Sequence, residues 1–190
     1  KYPKTYSIQE GPLSSDKKYL FKPFNSCGGY DISQVSPRKA NSYVQEHIKG
    51  DAYSCSFIID DNYFKLLGFN RLLNLISHYE NTFIHAGALM STKRFPESFH
   101  KAIETLARTL KMRGFNGIDF IFDGDNCYII DINPRLTSPF FLYNDINDNE
   151  LIKGQIVNSY NWERISNDNK PISGFVHIFT KDDIVFKEKL

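Results

Sequence analysis

Cysteine is scarce in this chain, and long apolar stretches are missing. Cys27, Cys55 and Cys127 lie far apart among 190 residues, which fits reduced thiols better than a disulfide framework or a zinc site. No apolar run approaches the ~18 residues that span a bilayer, and no signal-peptide pattern occurs. A cytoplasmic protein without a membrane partner is therefore expected.

Excess charge of either sign is also lacking. Lys and Arg number 23 against 22 Asp and Glu, which leaves a net charge of +1. Such a balance would not draw the chain to nucleic acid or to an anionic membrane, so we expect small-molecule partners. The apolar content of 41% is sufficient for a hydrophobic core that is stable without disulfide bonds or a structural metal.

The chain has no internal repeat, low-complexity tract or long linker, so its secondary-structure elements are predicted from hydrophobic periodicity. Alternating apolar residues predict short strands, at 19–24, 30–35, 43–48, 52–59 and 63–69. Apolar residues at helical spacing, Leu110 included, predict a helix over 96–113 that stops at Gly114. Two further strands are predicted near the C-terminus, at 174–180 and 182–186.

The most informative segment is 117–133, in which two alternating runs flank a polar turn. A three-residue turn at 124–126 would place Asp119 directly opposite Asp131. One face of that hairpin is apolar, formed by Ile118, Phe120, Phe122, Tyr128, Ile130 and Ile132. The other face is polar, formed by Gly117, Asp119, Asp131 and Asn133.

Two carboxylates directly across a strand pair repel each other unless a cation or a shared proton relieves them. Oxygen ligands from two Asp and one Asn suit magnesium, which takes its remaining ligands from water and nucleotide phosphates. An ordinary amphipathic hairpin with acidic residues on its wet side is the alternative interpretation. A two-residue turn would instead put Asp119 and Asp131 on opposite faces.

A second candidate motif is a lysine ahead of a polar glycine loop. Lys22 lies near the end of the strand predicted at 19–24, and Ser26, Gly28 and Gly29 follow within the loop. Glycines let backbone N–H groups approach phosphate oxygens, and lysine supplies a point charge. A plain hairpin turn explains the same pattern when the motif is taken alone.

The order of these motifs along the chain resembles the ATP-grasp superfamily. Gly-Ile-Asp-Phe-Ile from Gly117, followed by Asp-Ile-Asn-Pro-Arg from Asp131, looks like the family's magnesium-binding hairpin. The resemblance implies that Asp119, Asp131 and Asn133 hold two Mg²⁺ ions, for which Mn²⁺ can substitute, against the phosphates of ATP. Asp131 stands where the family usually has Glu. Arg135 occupies the place of a cation that stabilises the transferring phosphoryl group.

The resemblance also implies nucleotide contacts. Lys22 would bind the α- and β-phosphates beneath the loop of Ser26, Gly28 and Gly29. Residues 44–54 are similar to the linker strand that receives adenine between two subdomains.

Within that linker the family pattern assigns four residues. Gln45 would bond the adenine amino group, and the backbones of Glu46 and Ile48 would contact the adenine edge. Asp51 would bond the ribose hydroxyls.

The fold implied by the resemblance is α+β, with two subdomains whose mostly antiparallel sheets hold ATP between them. Residues 1–44 would form the small lid subdomain and 45–190 the large subdomain. The family's N-terminal domain has no counterpart here, and the chain starts without methionine, so we expect it to be part of a longer protein. His47 and His85 are predicted to be structural.

The activity implied is that of a ligase, which activates a carboxylate as an acyl phosphate and joins it to an amine, giving an amide, ADP and phosphate. The expected substrates are amino-acid-like, and a homodimer is an expected assembly. Two alternatives stay open: a carboxylase-type enzyme that uses bicarbonate, and a non-catalytic ATP-binding module.

Overall fold

A computed structural model of the chain describes residues 1–9, 16–34, 36, 40–76, 83–144, 150–156, 161–165 and 173–177. The strands are β1 (Thr5–Ser7), β2 (Tyr19–Pro23), β3 (Ser42–Glu46), β4 (Asp51–Ile59), β5 (Phe64–Ile76), β6 (Phe83–Ser91), β7 (Gly114–Phe122), β8 (Cys127–Asn133) and β9 (Gly174–Val176). The α-helices are α1 (Glu97–Thr109), α2 (Phe141–Asn144) and α3 (Glu150–Ile156), with 3₁₀ turns at Ser138–Phe140 and Trp162–Arg164.

The strands form two sheets. A three-stranded sheet has the order β1-β3-β2, and a six-stranded sheet has the order β8-β7-β4-β5-β6-β9. All the pairings within both sheets are antiparallel. The predicted α+β architecture with antiparallel sheets is confirmed.

Helix α1 covers one face of the six-stranded sheet. Phe99, Ile103 and Ala107 recur at a spacing of four residues and are buried against the sheet, so they form one apolar stripe. The core beneath this stripe is mostly aromatic, with Phe69, Phe95, Phe99 and Phe120 in ring contact. On the opposite face α2 and α3 enclose a second core that includes Leu142, Tyr143, Leu151, Trp162 and Ile165.

The β7–β8 hairpin combines the predicted register with an unpredicted bulge. Gly117 pairs with Asn133 and Asp119 with Asp131, as expected. Between Asp119 and Phe120 the register shifts by one residue, so that Phe122 pairs with Cys127 around a four-residue turn. Because a one-residue slip exchanges the faces of a strand, the predicted core positions of Tyr128 and Ile130 are wrong.

The side chains that fill those core positions are the neighbouring ones. Cys127 is buried, and Ile129 packs against the same cluster as α1. The backbone N–H of Asp123 donates to the carbonyl of Asn126 at 3.2 Å, which closes the turn.

Four other predicted elements differ from the structure. The strand predicted at 30–35 is reduced to a bridge between Phe21 and Ser33, because Gly28, Gly29 and Asp31 have φ of 63°, 83° and 60° and turn the chain. The predicted helix over 96–113 ends earlier, at Thr109.

Leu110 is 51% exposed and lies beyond that helix end. Lys111 follows in the left-handed region with φ of 52°, which helical backbone excludes. The predicted strand at 63–69 extends to Ile76, and that at 174–180 is described only as Gly174–Val176. The strand predicted at 182–186 lies outside the described residues.

Candidate functional site

The acidic hairpin presents two carboxylates to one polar face. Asp119 is half-buried and Asp131 is exposed, and both lie within reach of the buried Asn133 amide. The Asn133 Nδ2 atom donates to Asp119 Oδ2 and to Asp131 Oδ2, each at 3.3 Å. The amide therefore bridges the two carboxylates at the place where a cation would relieve their repulsion.

The electrostatics of this hairpin are unusual for surface aspartates. Burial, followed by repulsion from Asp131, raises the pKa of Asp119 to about 7. The charges of Arg135 and Lys22 and the Asn133 hydrogen bond oppose that shift in pKa without cancelling it. Burial and repulsion thus destabilise the ionised form of Asp119, and a cation bound between Asp119 and Asp131 would stabilise it.

Lys22 reaches the same site from the three-stranded sheet. It pairs with Tyr43, and Leu20 pairs with Gln45, so Lys22, Tyr43 and Gln45 share a face. Burial lowers the pKa of Lys22, while the charges of Asp131 and Asp119 oppose the shift. The two sheets thus bring an ammonium group near two carboxylates, and the space between these three side chains is called the cleft.

Tyr43 lies near the same carboxylates, although it was not among the residues predicted from the sequence. Burial raises the pKa of its hydroxyl, and the charge of Asp131 raises it further. Tyr43 and Gln45 are two residues apart on β3, so they lie on the same face of the strand. This spacing could have identified Tyr43 from the sequence.

Arg135 lies beside the hairpin at the surface. Its backbone N–H donates to the Asn133 carbonyl at 2.8 Å, and its Nη1 donates to the Leu136 carbonyl at 3.0 Å. Its charge lowers the pKa of Asp119, so the guanidinium is close enough to interact electrostatically with that carboxylate.

The glycine loop packs against the beginning of β6. The backbone N–H of His85 donates to the Gly28 carbonyl at 2.8 Å. A Cβ atom added to Gly29 would lie 1.4 Å from the Phe83 carbonyl oxygen, so only glycine fits this approach. Ser26 Oγ donates to the Tyr30 carbonyl within the same loop. The loop therefore extends from Lys22 across to β6.

The predicted adenine and ribose residues are not all brought together. Gln45 is buried, and its Nε2 donates to Thr5 Oγ1 at 3.3 Å on the cleft side. Glu46, the next residue on β3, points its side chain to the opposite face and pairs with Lys17 at 2.5 Å. Its backbone N–H donates to the Lys4 carbonyl at 2.8 Å, so that N–H is not available for an adenine contact.

Ile48 lies between the two sheets in sequence, and Asp51 is the first residue of β4 in the larger sheet. Ile48 is half-buried in the segment that links β3 to β4. Asp51 pairs with Phe122, on the α1 side of the sheet, and its carboxylate contacts Arg71 at 3.3 Å. Asp51 is therefore on the face opposite to Asp119, away from the other predicted residues.

The donor set of the hairpin fits magnesium with a nucleotide. No group of three or more His, Cys, Asp and Glu side chains converges on a metal position in the described ranges. Two carboxylates and one amide leave a hard cation to complete its shell with waters and phosphates, as magnesium does. The Asn133 amide must turn its oxygen toward the ion to become a ligand, which is a rotation about one side-chain bond.

Two antiparallel sheets that enclose a lysine, a glycine loop and an acidic hairpin define a nucleotide-binding fold of the ATP-grasp class. The profile of the ATP-grasp domain family matches residues 1–139, and the chain belongs to this family. Its kinship with the ATP-grasp superfamily of ligases is confirmed. No helix in the part of the chain that the structure describes is long and apolar enough to cross a membrane.

Individual relatives agree with this family assignment. Tyramine–L-glutamate ligase from Methanocaldococcus jannaschii is 30% identical over 125 residues, which make up 66% of this chain and 38% of that protein. An ATP-grasp superfamily protein of known structure from Archaeoglobus fulgidus is 26% identical, with a TM-score of 0.55 over 76% of this chain and 44% of that chain.

A more distant structure shares the fold alone. N5-carboxyaminoimidazole synthetase from Staphylococcus aureus, solved with ADP, is 12% identical with a TM-score of 0.60, over 76% of this chain and 43% of that chain. This chain spans about two-fifths of the length of the curated ligases that it matches.

Proposed function

We propose that this chain is the nucleotide-binding and catalytic part of an ATP-dependent carboxylate–amine ligase that acts through an acyl phosphate. The observation that carries the proposal is the convergence of Lys22 with Asp119, Asp131 and Asn133 across the cleft between the sheets. The family supplies the general reaction, and the arrangement of these side chains supplies a place for the phosphates.

The nucleotide would lie in the cleft with its phosphates between Lys22 and the hairpin. Asp119, Asp131 and Asn133 would hold one or two Mg²⁺ ions, or Mn²⁺ in their place, which neutralise and orient the β- and γ-phosphates. The loop of Ser26, Gly28 and Gly29 would cover the phosphates and exclude water from the reaction. Gln45 would direct its amide to the adenine.

The first chemical step transfers the γ-phosphoryl group. A carboxylate oxygen of the substrate attacks the γ-phosphorus, the bond to the β-phosphate oxygen breaks, and ADP leaves with the electron pair. Lys22 and Arg135 face the charge that develops on the phosphoryl oxygens, so they lower the barrier by electrostatic stabilisation. The product is a mixed anhydride of the carboxylic acid and phosphate.

In the second step an amine attacks the carbonyl carbon of that acyl phosphate, and phosphate leaves with the electron pair of the broken C–O bond. The amine loses a proton as the amide forms. L-glutamate and tyramine are the substrate pair to test first, because a ligase of that name is 30% identical to this chain.

Calorimetric titration of ATP, with and without Mg²⁺, tests the site. Asp131→Asn removes a proposed metal ligand, and Lys22→Ala removes the proposed phosphate contact. Asp125→Asn and Lys18→Ala are matched controls, since these exposed residues lie on the same hairpin and next to the same strand.

Mg²⁺-dependent binding that weakens in Asp131→Asn and Lys22→Ala, but not in the controls, supports the nucleotide site. Release of ADP that depends on both L-glutamate and tyramine then supports the ligase. ATP binding without carboxylate-dependent turnover would favour a non-catalytic ATP-binding module instead. Equal losses of affinity in the controls and the site variants would refute the proposed site.

A further inference from the structure

One face of the six-stranded sheet connects the acidic hairpin with β6. Asp119 pairs with Ser54, Ser54 with Asn70, and Asn70 with Met90. Directly paired residues point to the same side of a sheet. This row therefore shows that the carboxylate of Asp119 and the side chain of Met90 are on one face.

Two histidines lie further along the same face. Ala88, two residues before Met90, pairs with Phe175 of β9, so the Phe175 ring is on this face as well. The rings of His85 and His177 contact the Phe175 ring, with centroid distances of 6.2 and 5.2 Å. The two imidazoles are 5.7 Å apart.

His85 has an unused polar atom. Its Nε2 is buried, and no described residue forms a hydrogen bond with it. A buried imidazole nitrogen without a partner loses the hydrogen bond that water would provide, so native proteins seldom keep one without a ligand. The side chain as a whole is only half-buried, so part of the imidazole ring lies at the surface beside the buried nitrogen.

The backbone of the same residue holds the glycine loop. His85 N–H donates to the Gly28 carbonyl at 2.8 Å, and Lys22, at the other end of that loop, faces Asp119 and Asp131. A phosphoryl group beneath the loop would therefore lie between the acidic hairpin and His85. The second substrate must approach such a group from a side that the hairpin does not occupy.

We propose that His85 is the catalytic base for the amine substrate, with the Phe175 and His177 rings forming the wall of the amine subsite. This inference rests on the proposed ligase function and adds a residue to it. The amine nitrogen forms a bond to the acyl carbon, the C–O bond to phosphate breaks, and phosphate takes that electron pair. The proton released from nitrogen passes to His85 Nε2, which becomes an imidazolium and returns it to solvent or phosphate.

The protonation state of His85 agrees with this role. Burial, followed by the charge of His177, lowers the pKa of His85, so its imidazole is neutral near pH 7 and able to accept a proton. In the described part of the chain, His177, which directly follows β9, is the titratable side chain that acts on it. An aromatic wall favours a primary amine that carries an aryl or other apolar group.

Two assays on the intact protein separate amine activation from the earlier step. Hydroxylamine traps an acyl phosphate as a hydroxamate without help from a protein base, so hydroxamate formation from ATP and L-glutamate reports the first step alone. Amide formation with tyramine reports both steps. In His85→Gln and His85→Asn we expect hydroxamate at the wild-type level and amide formation reduced by about 100-fold.

His100→Gln is the matched control. His100 Nε2 is also buried without a partner among the described residues, but it belongs to α1 on the other face of the sheet. Its substitution is expected to leave both rates unchanged. Melting temperatures of all three variants verify that they are folded.

The outcomes are distinct. Equal loss of hydroxamate and amide in the His85 variants, or no loss of either, overturns the assignment of His85 as the base for the amine. A matching loss in His100→Gln would do the same, because it would show that any buried histidine has this effect. If the wild-type protein forms no hydroxamate from L-glutamate or from any other amino acid offered as the carboxylate, the proposed function fails and this inference falls with it.

Discussion

The docking of the glycine loop on β6 permits a comparison between two adjacent glycines. Gly28 and Gly29 both have positive φ, of 63° and 83°. A Cβ at Gly28 would meet only the Tyr30 ring, at an ordinary 3.7 Å, whereas a Cβ at Gly29 would lie 1.4 Å from the Phe83 carbonyl oxygen. Alanine at either position introduces the same backbone strain, but only Gly29→Ala prevents the docking.

The magnitude follows from this difference. Alanine in the left-handed region costs about 1–2 kcal/mol, and a lost backbone hydrogen bond costs about 1 kcal/mol. Gly28→Ala, which keeps the hydrogen bond, should therefore weaken loop docking by about five- to thirtyfold, since 1.4 kcal/mol corresponds to a factor of ten. Gly29→Ala should abolish the docked state, because a contact of 1.4 Å cannot be accommodated by small shifts.

Amide hydrogen exchange at His85 provides the assay, because its N–H is the donor to the Gly28 carbonyl. Protection at this amide should vanish in Gly29→Ala and persist, although reduced, in Gly28→Ala. Denaturation midpoints should change little, since β5 and β6 remain paired and loops open locally at low free energy. Equal protection in both variants, or full protection in Gly29→Ala, would refute the docked loop.

Three further predictions concern the hairpin and the core. Asp119→Asn should leave stability unchanged near pH 4 and raise it by about 2–4 kcal/mol at pH 8 in metal-free protein, measured by urea unfolding. The pKa of Asp119 is about 7 in the folded chain and about 3.9 in the unfolded chain. The wild type therefore loses stability as the pH rises between these two values, whereas Asp119→Asn does not. Asn70→Ala should destabilise the fold by about 2–4 kcal/mol, since Asn70 is fully buried and bonds Ser54, Ser56 and Tyr143. Asp131→Glu should retain Mg²⁺-dependent ATP binding, whereas Asp131→Asn should lose at least about tenfold in affinity by calorimetry.

Each of these predictions has a contradicting result. A stability difference between Asp119→Asn and wild type that does not change with pH would show that the Asp119 carboxyl titrates normally. An Asn70→Ala variant as stable as wild type would mean that the buried network adds nothing to the fold. Equal affinities of Asp131→Glu and Asp131→Asn for ATP would remove Asp131 from the proposed metal ligands.

The pairing of Asp119 with Asp131 was predictable from the sequence because alternation and a short turn constrain a hairpin strongly. The bulge between Asp119 and Phe120 was not predictable. Both registers bury apolar residues, since Tyr128, Ile129 and Ile130 are all apolar enough for a core. Packing against the aromatic cluster under α1 selects Cys127 and Ile129.

The glycine loop shows the opposite case. The residues Gly28 and Gly29 indicated a turn, but the following stretch also alternated like a strand. The contact with Phe83 and His85, more than fifty residues away, determines the path of the loop. Local patterns do not record such a contact, because the partner strand is distant in sequence.

The sequence by itself determined the chemistry available to this protein: an acidic hairpin with Asn133 and Arg135, a lysine before a glycine loop, and the order that relates them to the ATP-grasp family. These features depend on residue type and spacing over short distances. Only the tertiary structure decided that Lys22 and Tyr43 face the carboxylates, that Asp51 points away from them, and that His85 shares the face of Asp119. Such relations depend on how two sheets are paired and stacked, which is set by packing among residues far apart in the chain.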